Sequence, residues 1–110
     1  MEYYAENIKI LRKNRKYTLE ELAKICGMSK SHLWDCENKT GSISASLLKR
    51  LADAFGVTMD FLYSTPPDSE VKLYKESMIE YMKRKISNFS IDELHKLGVF
   101  IDMFMVNKGE

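Results

Sequence analysis

Between Thr18 and Ser29 the chain carries a helix start, one apolar turn, a helix stop and a second helix start in close succession. Thr18-Leu19-Glu20-Glu21 is a capping box: the Thr18 hydroxyl can accept the Glu21 N–H while the Glu21 carboxylate reaches back to the Thr18 N–H. Leu22 and Cys26 lie one turn apart on the helix that follows, and Gly27 is placed for the left-handed conformation of a sharp exit. Ser29 then caps a third helix, in which Leu33 and Cys36 face inward at i, i+3. Helices this short are unstable alone, so they must share one core with their neighbours.

The flanking sequence supplies those neighbours. Tyr4, Ile8 and Leu11 give a first helix an apolar face, with an expected end near Lys16. Ser44 caps a fourth helix carrying Leu48, Leu51, Ala52 and Phe55, and Gly56 stops it. Thr58 caps a last short turn bearing Phe61 and Leu62. The 110 residues include only five Gly and two Pro, too few breakers for a strand-and-turn protein, and the expected class is all-α.

Both prolines fall in Ser64-Thr65-Pro66-Pro67-Asp68-Ser69, which divides the chain into expected units 1–65 and 66–110. The first holds ten Lys/Arg against eight Asp/Glu and the second seven against eight, so the N-terminal unit is the more basic. The overall formal charge of +1 excludes binding of nucleic acid by bulk charge alone; any such role must rest on local placement. No segment reaches the roughly 18 apolar residues of a membrane span, and the start of the chain is acidic where a secretory signal is basic. The expected setting is the cytoplasm, where Cys26 and Cys36 are reduced core residues. A zinc site built from Cys26, His32 and Cys36 fails on spacing and lacks a fourth ligand.

The run Thr18-Leu-Glu-Glu-Leu-Ala-Lys-Ile-Cys-Gly-Met-Ser-Lys-Ser-His-Leu-Trp-Asp-Cys-Glu-Asn38, followed by Leu47-Leu-Lys-Arg-Leu-Ala-Asp-Ala-Phe-Gly-Val-Thr-Met-Asp-Phe-Leu62, resembles the Cro/C1-type (XRE) helix-turn-helix regulators. The resemblance covers roughly residues 4–63 and implies a five-helix, lambda-repressor-like DNA-binding domain. By that resemblance Lys30, Ser31, Trp34 and Asp35 match base-reading positions. Asn38, Lys39, Thr40, Ser42 and Ser44 match phosphate-clamping ones, and Arg12 and Glu37 match an internal ion pair behind the recognition helix. Ser29, by its own place at a helix start with exposed N–H groups, can bind a phosphate oxygen. Leu19 stands where many relatives carry Gln, and Lys39 where a Gly is common.

The residue chemistry agrees with those roles. Lys30 is a donor for guanine O6 and N7, Ser31 bonds several bases, Asp35 suits the cytosine amino group, and Trp34 offers a flat surface for a thymine methyl. Plainer readings stand beside them: Trp34 as a surface aromatic, Asp35 paired with Lys39 one turn away, and His32 as a solvated helix residue.

Beyond the prolines, residues 70–89 place Val71, Tyr74, Met78, Tyr81/Met82, Lys85 and Phe89 at 3–4 spacing. A second capping box, Ser90-Ile91-Asp92-Glu93, opens a helix with the stripe Leu94, Leu97, Ile101, Phe104 and Met105. A two-helix hairpin is expected, with Val71, Tyr74, Met78, Met82, Leu94, Leu97, Ile101, Phe104 and Met105 in a homodimer interface. The alternatives are that the hairpin folds back on its own first domain, or that its Met-rich patch takes a different protein.

Together these readings predict a homodimeric, sequence-specific regulator of transcription, a repressor on double-stranded DNA that reads a pseudo-palindromic operator. The rival is an antitoxin or antagonist whose C-terminal helices bind a partner protein. No phosphate-cradling glycine loop and no nucleophile–base arrangement calls for an enzyme, and no cofactor or metal is implied.

Overall fold

The computed structural model describes residues 2–39 and 43–107. Among the described residues seven helices follow in order: α1 (Tyr4–Asn14), α2 (Leu19–Cys26), α3 (Lys30–Asn38), α4 (Ala45–Phe55), α5 (Met59–Ser64), α6 (Glu70–Ile86) and α7 (Ile91–Asn107). There is no strand among the described residues. The start signals act locally. Thr18, Ser29, Ser44, Thr58 and Ser69 each accept a backbone N–H from the first turn of the helix they precede. Thr18 completes its box, accepting the Glu21 N–H at 3.1 Å and donating its own to Glu21 Oε1 at 3.0 Å. The hydrogen bond from the Thr18 backbone N–H to the carboxylate is the main cause holding the Glu21 pKa below its ordinary value, and the Thr18 side chain adds to it.

Gly27 (φ 66°) and Gly56 (φ 72°) end α2 and α4 in the left-handed region, where a Cβ is costly. In each case the next residue closes the turn: Met28 N donates to Ala23 O and Val57 N to Ala52 O. Helix α1 ends at Asn14, two residues before the expected Lys16, because the chain turns back there. Lys16 itself adopts φ 59° and the Tyr17 N–H returns to Arg12 O.

Tyr4, Ile8 and Leu11 of α1, Leu22 and Cys26 of α2, Leu33 and Cys36 of α3, Leu48, Leu51 and Phe55 of α4 and Leu62 of α5 form one buried core. Asn7 is fully buried among them. Its amide donates to Leu62 O at 2.9 Å and Thr65 O at 2.8 Å, joining α1 to the last turn of α5 and the residue before Pro66. A stacked pair, Tyr4 on Tyr63 with ring centres 5.7 Å apart, closes the same seam.

Helices α6 and α7 behave differently from each other. Helix α6 lies against α1 and the C-terminal end of α4 and sends Leu73 into the shared core, with Ser77 fully buried one turn on. Tyr81, two turns beyond Leu73, packs on Gly56. This inner face was not the stripe read from the sequence. Val71, Met78 and Met82 are exposed, and Tyr74 is half covered by the chain's own core. The polar Ser77 broke the apolar pattern, yet it fits because its hydroxyl bonds back to Tyr74 O at 2.8 Å.

Helix α7 buries none of its residues. Its own capping box forms, with Glu93 N on Ser90 Oγ at 3.1 Å and Ser90 N on Glu93 Oε1 at 2.9 Å. Leu97 and Gly98 are half-buried, while Ile91, Phe100, Met103 and Val106 stay largely in solvent. The radius of gyration is accordingly 16.3 Å, with extents of 46 × 28 × 25 Å. A compact chain of this length has a radius of about 13 Å.

Candidate DNA-reading surface

Helix α3 is fixed from behind and bare in front. Leu33 is fully buried, and Cys36 and Glu37 are buried beside it. The Glu37 carboxylate faces a fork: Arg12 Nε donates to Oε2 at 2.6 Å and Arg12 Nη2 to Oε1 at 3.0 Å. Arg12 Nη1 also donates to Tyr17 O at 3.0 Å, so one guanidinium ties together the end of α1, the entry to α2 and the back of α3. The pair is shielded, at 12% and 1% side-chain exposure. Burial, with Asp35 and Glu37 adding to it, pushes the Cys36 thiol above its ordinary value and keeps it in the protonated, apolar form. Cys26 is raised by burial in the same way, and both thiols are free.

On the other side of α3, Lys30, Ser31 and Trp34 are exposed and Asp35 is half-buried; the four line one shallow depression. Trp34 shows 48% of its surface, too much for a core residue of that size. Two of the four already have partners. Lys30 Nζ lies 3.1 Å from Glu20 Oε1, and Asp35 Oδ1 lies 3.2 Å from Lys39 Nζ. Both pairs sit in water, where such contacts are weak and readily exchanged for a stronger anion.

The other sequence-predicted residues fall around this face. The Ser29 hydroxyl accepts from His32 N at 3.1 Å and the Ser44 hydroxyl from Leu47 N at 3.2 Å, leaving each O–H free to donate at a helix start. Asn38 donates to Trp34 O at 2.8 Å and so ends α3. Thr40 and Ser42 lie outside the described residues. Glu20, as the partner of Lys30, was missed by the sequence reading, since the two residues sit on different helices. Among the described residues no group of three His, Cys, Asp or Glu is arranged to hold a metal ion, and no helix is long and apolar enough to cross a membrane.

Two short helices joined through Gly27, the second presenting its polar face outward from a buried back, define a helix-turn-helix nucleic-acid-binding domain. The comparisons agree. A family model described as helix-turn-helix matches residues 8–62. A hypothetical transcription factor of Neisseria meningitidis serogroup B is 32% identical over 73 residues, covering 66% of this chain and 68% of that protein. The immunity repressor protein of Bacillus phage phi105 is 30% identical over 93 residues, 83% of this chain and 61% of the repressor. A solved structure of a SinR protein/SinI protein complex superposes with a TM-score of 0.53 over 98% of this chain and 100% of the matched one, at 23% identity, and shares the fold. The chain belongs to the Cro/C1-type (XRE) helix-turn-helix family of DNA-binding transcriptional regulators. That family is one of transcription factors and not an enzyme class.

Proposed function

We propose that the protein is a homodimeric repressor that reads a pseudo-palindromic operator with α3 in the major groove. The observation that carries this reading is the two-sidedness of α3: Leu33, Cys36 and Glu37 hold its back while Lys30, Ser31, Trp34 and Asp35 lie along its outer side. In this reading Lys30 leaves Glu20 to donate to a guanine edge, Ser31 and Trp34 meet neighbouring bases, and Asp35 accepts from a cytosine amino group. Ser29, Ser44, Asn38 and Lys39 take phosphates, with Thr40 and Ser42 in the intervening loop. Phosphate contacts supply most of the affinity and base contacts the choice of site.

One α3 reads only a few base pairs. Two, related by a two-fold axis, read half-sites about 34–36 Å apart. We assign the second copy to the C-terminal helices, through Val71, Tyr74, Met78 and Met82 of α6 and Leu94, Leu97, Ile101, Phe104 and Met105 of α7. Residues 1–65 then form the reading unit and 66–110 the association unit, with the inner face of α6 shared between them. A second reading is favoured by the apolar surface that α7 leaves in water: a different protein takes that helix. The matched solved structure is itself titled as a complex of two proteins.

Selection of bound genomic fragments, run beside sedimentation of the free protein, tests the proposal. An inverted repeat and a dimeric mass are expected. Random fragments, or a monomer that gains mass only with a second protein, overturn it. Lys30→Ala is expected to cost about 1–3 kcal/mol of binding and to relax preference at one base pair.

A further inference from the structure

Helix α6 has two working sides. Its inner side, Leu73, Ser77, Tyr81 and Arg84, is fastened to the DNA-reading body. Its outer side, Val71, Met78 and Met82, is exposed and lies about 120° round the helix at 100° per residue. The fastening is concentrated at the C-terminal end of α4. There Arg15, just past the end of α1, donates to Phe55 O at 3.0 Å, and Arg84 of α6 donates to Val57 O at 2.9 Å and reaches Asp53 Oδ1 at 3.4 Å. Two guanidinium groups thus cover the negative end of one helix dipole from opposite sides of the chain. Beside Arg15 lies the Tyr81 ring, with the Arg15 guanidinium 5.5 Å from its centre and the Lys85 ammonium 5.2 Å from it. The ring sits so close to Gly56 that a Cβ there would stand 2.4 Å from Tyr81 Cδ1.

Such a joint does more than hold a helix down. An unstructured linker would let two reading domains find half-sites at several separations, because a flexible tether tolerates a range of spans. Here the helix that carries the outer stripe is locked, through α4 and α1, to the body that carries α3. We propose that Tyr81 and Arg84 are positioning residues for operator spacing: they make the distance and rotation between half-sites a feature the protein reads. The inference rests on the homodimer reading above. It concerns the length of the spacer, not the bases contacted.

One inserted base pair shifts a half-site by about 3.4 Å and turns it by about 35°, a mismatch that a rigid pair of domains cannot follow. The test measures binding of the full chain to operators with the recovered half-sites and spacers lengthened or shortened by one and two base pairs. The wild type is expected to lose about tenfold or more for a one-base-pair change, as for a mismatched base. Tyr81→Ala/Arg84→Ala is expected to bind all spacings within about threefold of one another, with unchanged half-site preference and dimeric mass. Arg84→Ala alone removes one part-buried and one exposed hydrogen bond and no core side chain, and should broaden the profile in the same direction. Folding of both variants is checked by circular dichroism. A dimeric, folded variant with the wild-type spacing profile overturns the proposal, as does a wild type indifferent to spacing. A wild-type chain that sediments as a monomer overturns the homodimer reading instead, so the two failures are distinct.

Discussion

Helix α3 rests on Leu33, Cys36 and the Arg12–Glu37 fork, whereas α7 buries nothing although its sequence is far more apolar. Both helices begin with an engaged cap, so local chemistry started each of them equally well. The contrast lies behind them. The position of α3 is decided within one chain, by residues up to 25 positions away, whereas α7 packs no fully buried side chain against the rest of its chain. Hydrophobicity in a helix therefore predicts a need for cover, not where the cover comes from.

The largest effect expected is on the α3 side. Arg12→Ala leaves the Glu37 carboxylate shielded and unpaired, and should cost about 3–5 kcal/mol of stability in urea unfolding. A loss below about 1 kcal/mol would mean that α3 is held by packing alone. Next, Leu33→Ala should cost about 2–5 kcal/mol, while Ile101→Ala, at an exposed position of α7 and measured where the chain is monomeric, should stay within about 0.5 kcal/mol. Equal costs would erase the distinction between the two helices.

The two capping boxes sharpen it further. The carboxylates of Glu21 and Glu93 are both held below their ordinary pKa, foremost by the backbone N–H of Thr18 and Ser90 respectively. A depressed folded value gives stabilisation that is present above the ordinary glutamate pKa of about 4.3 and lost as pH falls through the lower folded value. On acidification through that range α7 should lose hydrogen-exchange protection first, because α2 is also held by Leu22 and Cys26. Simultaneous loss would contradict the contrast. The smallest effect belongs to Glu20→Gln, which frees Lys30. Weak exposed pairs are worth about 0.2–1 kcal/mol, so operator affinity should rise by no more than about fivefold.

What the sequence made legible follows from range. Thr18, Ser29, Ser44, Thr58 and Ser90 act within three residues, and each cap could be read directly. The inward set Leu33, Cys36, Leu48, Leu51 and Phe55 follows from helical period, as does the outward position of Trp34. The inner face of α6 was not legible. Its phase depends on which side meets Gly56, and Ser77 interrupts the pattern. Arg15, Arg84 and Asn7 were equally hidden, because their partners are main-chain carbonyls 27 to 58 residues away, and any residue carries a carbonyl. Glu20 needed two helices in register before its meeting with Lys30 could be seen.

The amide of Asn7 has a practical consequence. Its single nitrogen carries both carbonyls at the point where the chain leaves α5 for the prolines. A carboxylate there would offer those oxygens no hydrogen and a negative charge instead. Chimaeras that graft a foreign tail onto this domain will keep the native angle of departure only while position 7 remains an asparagine.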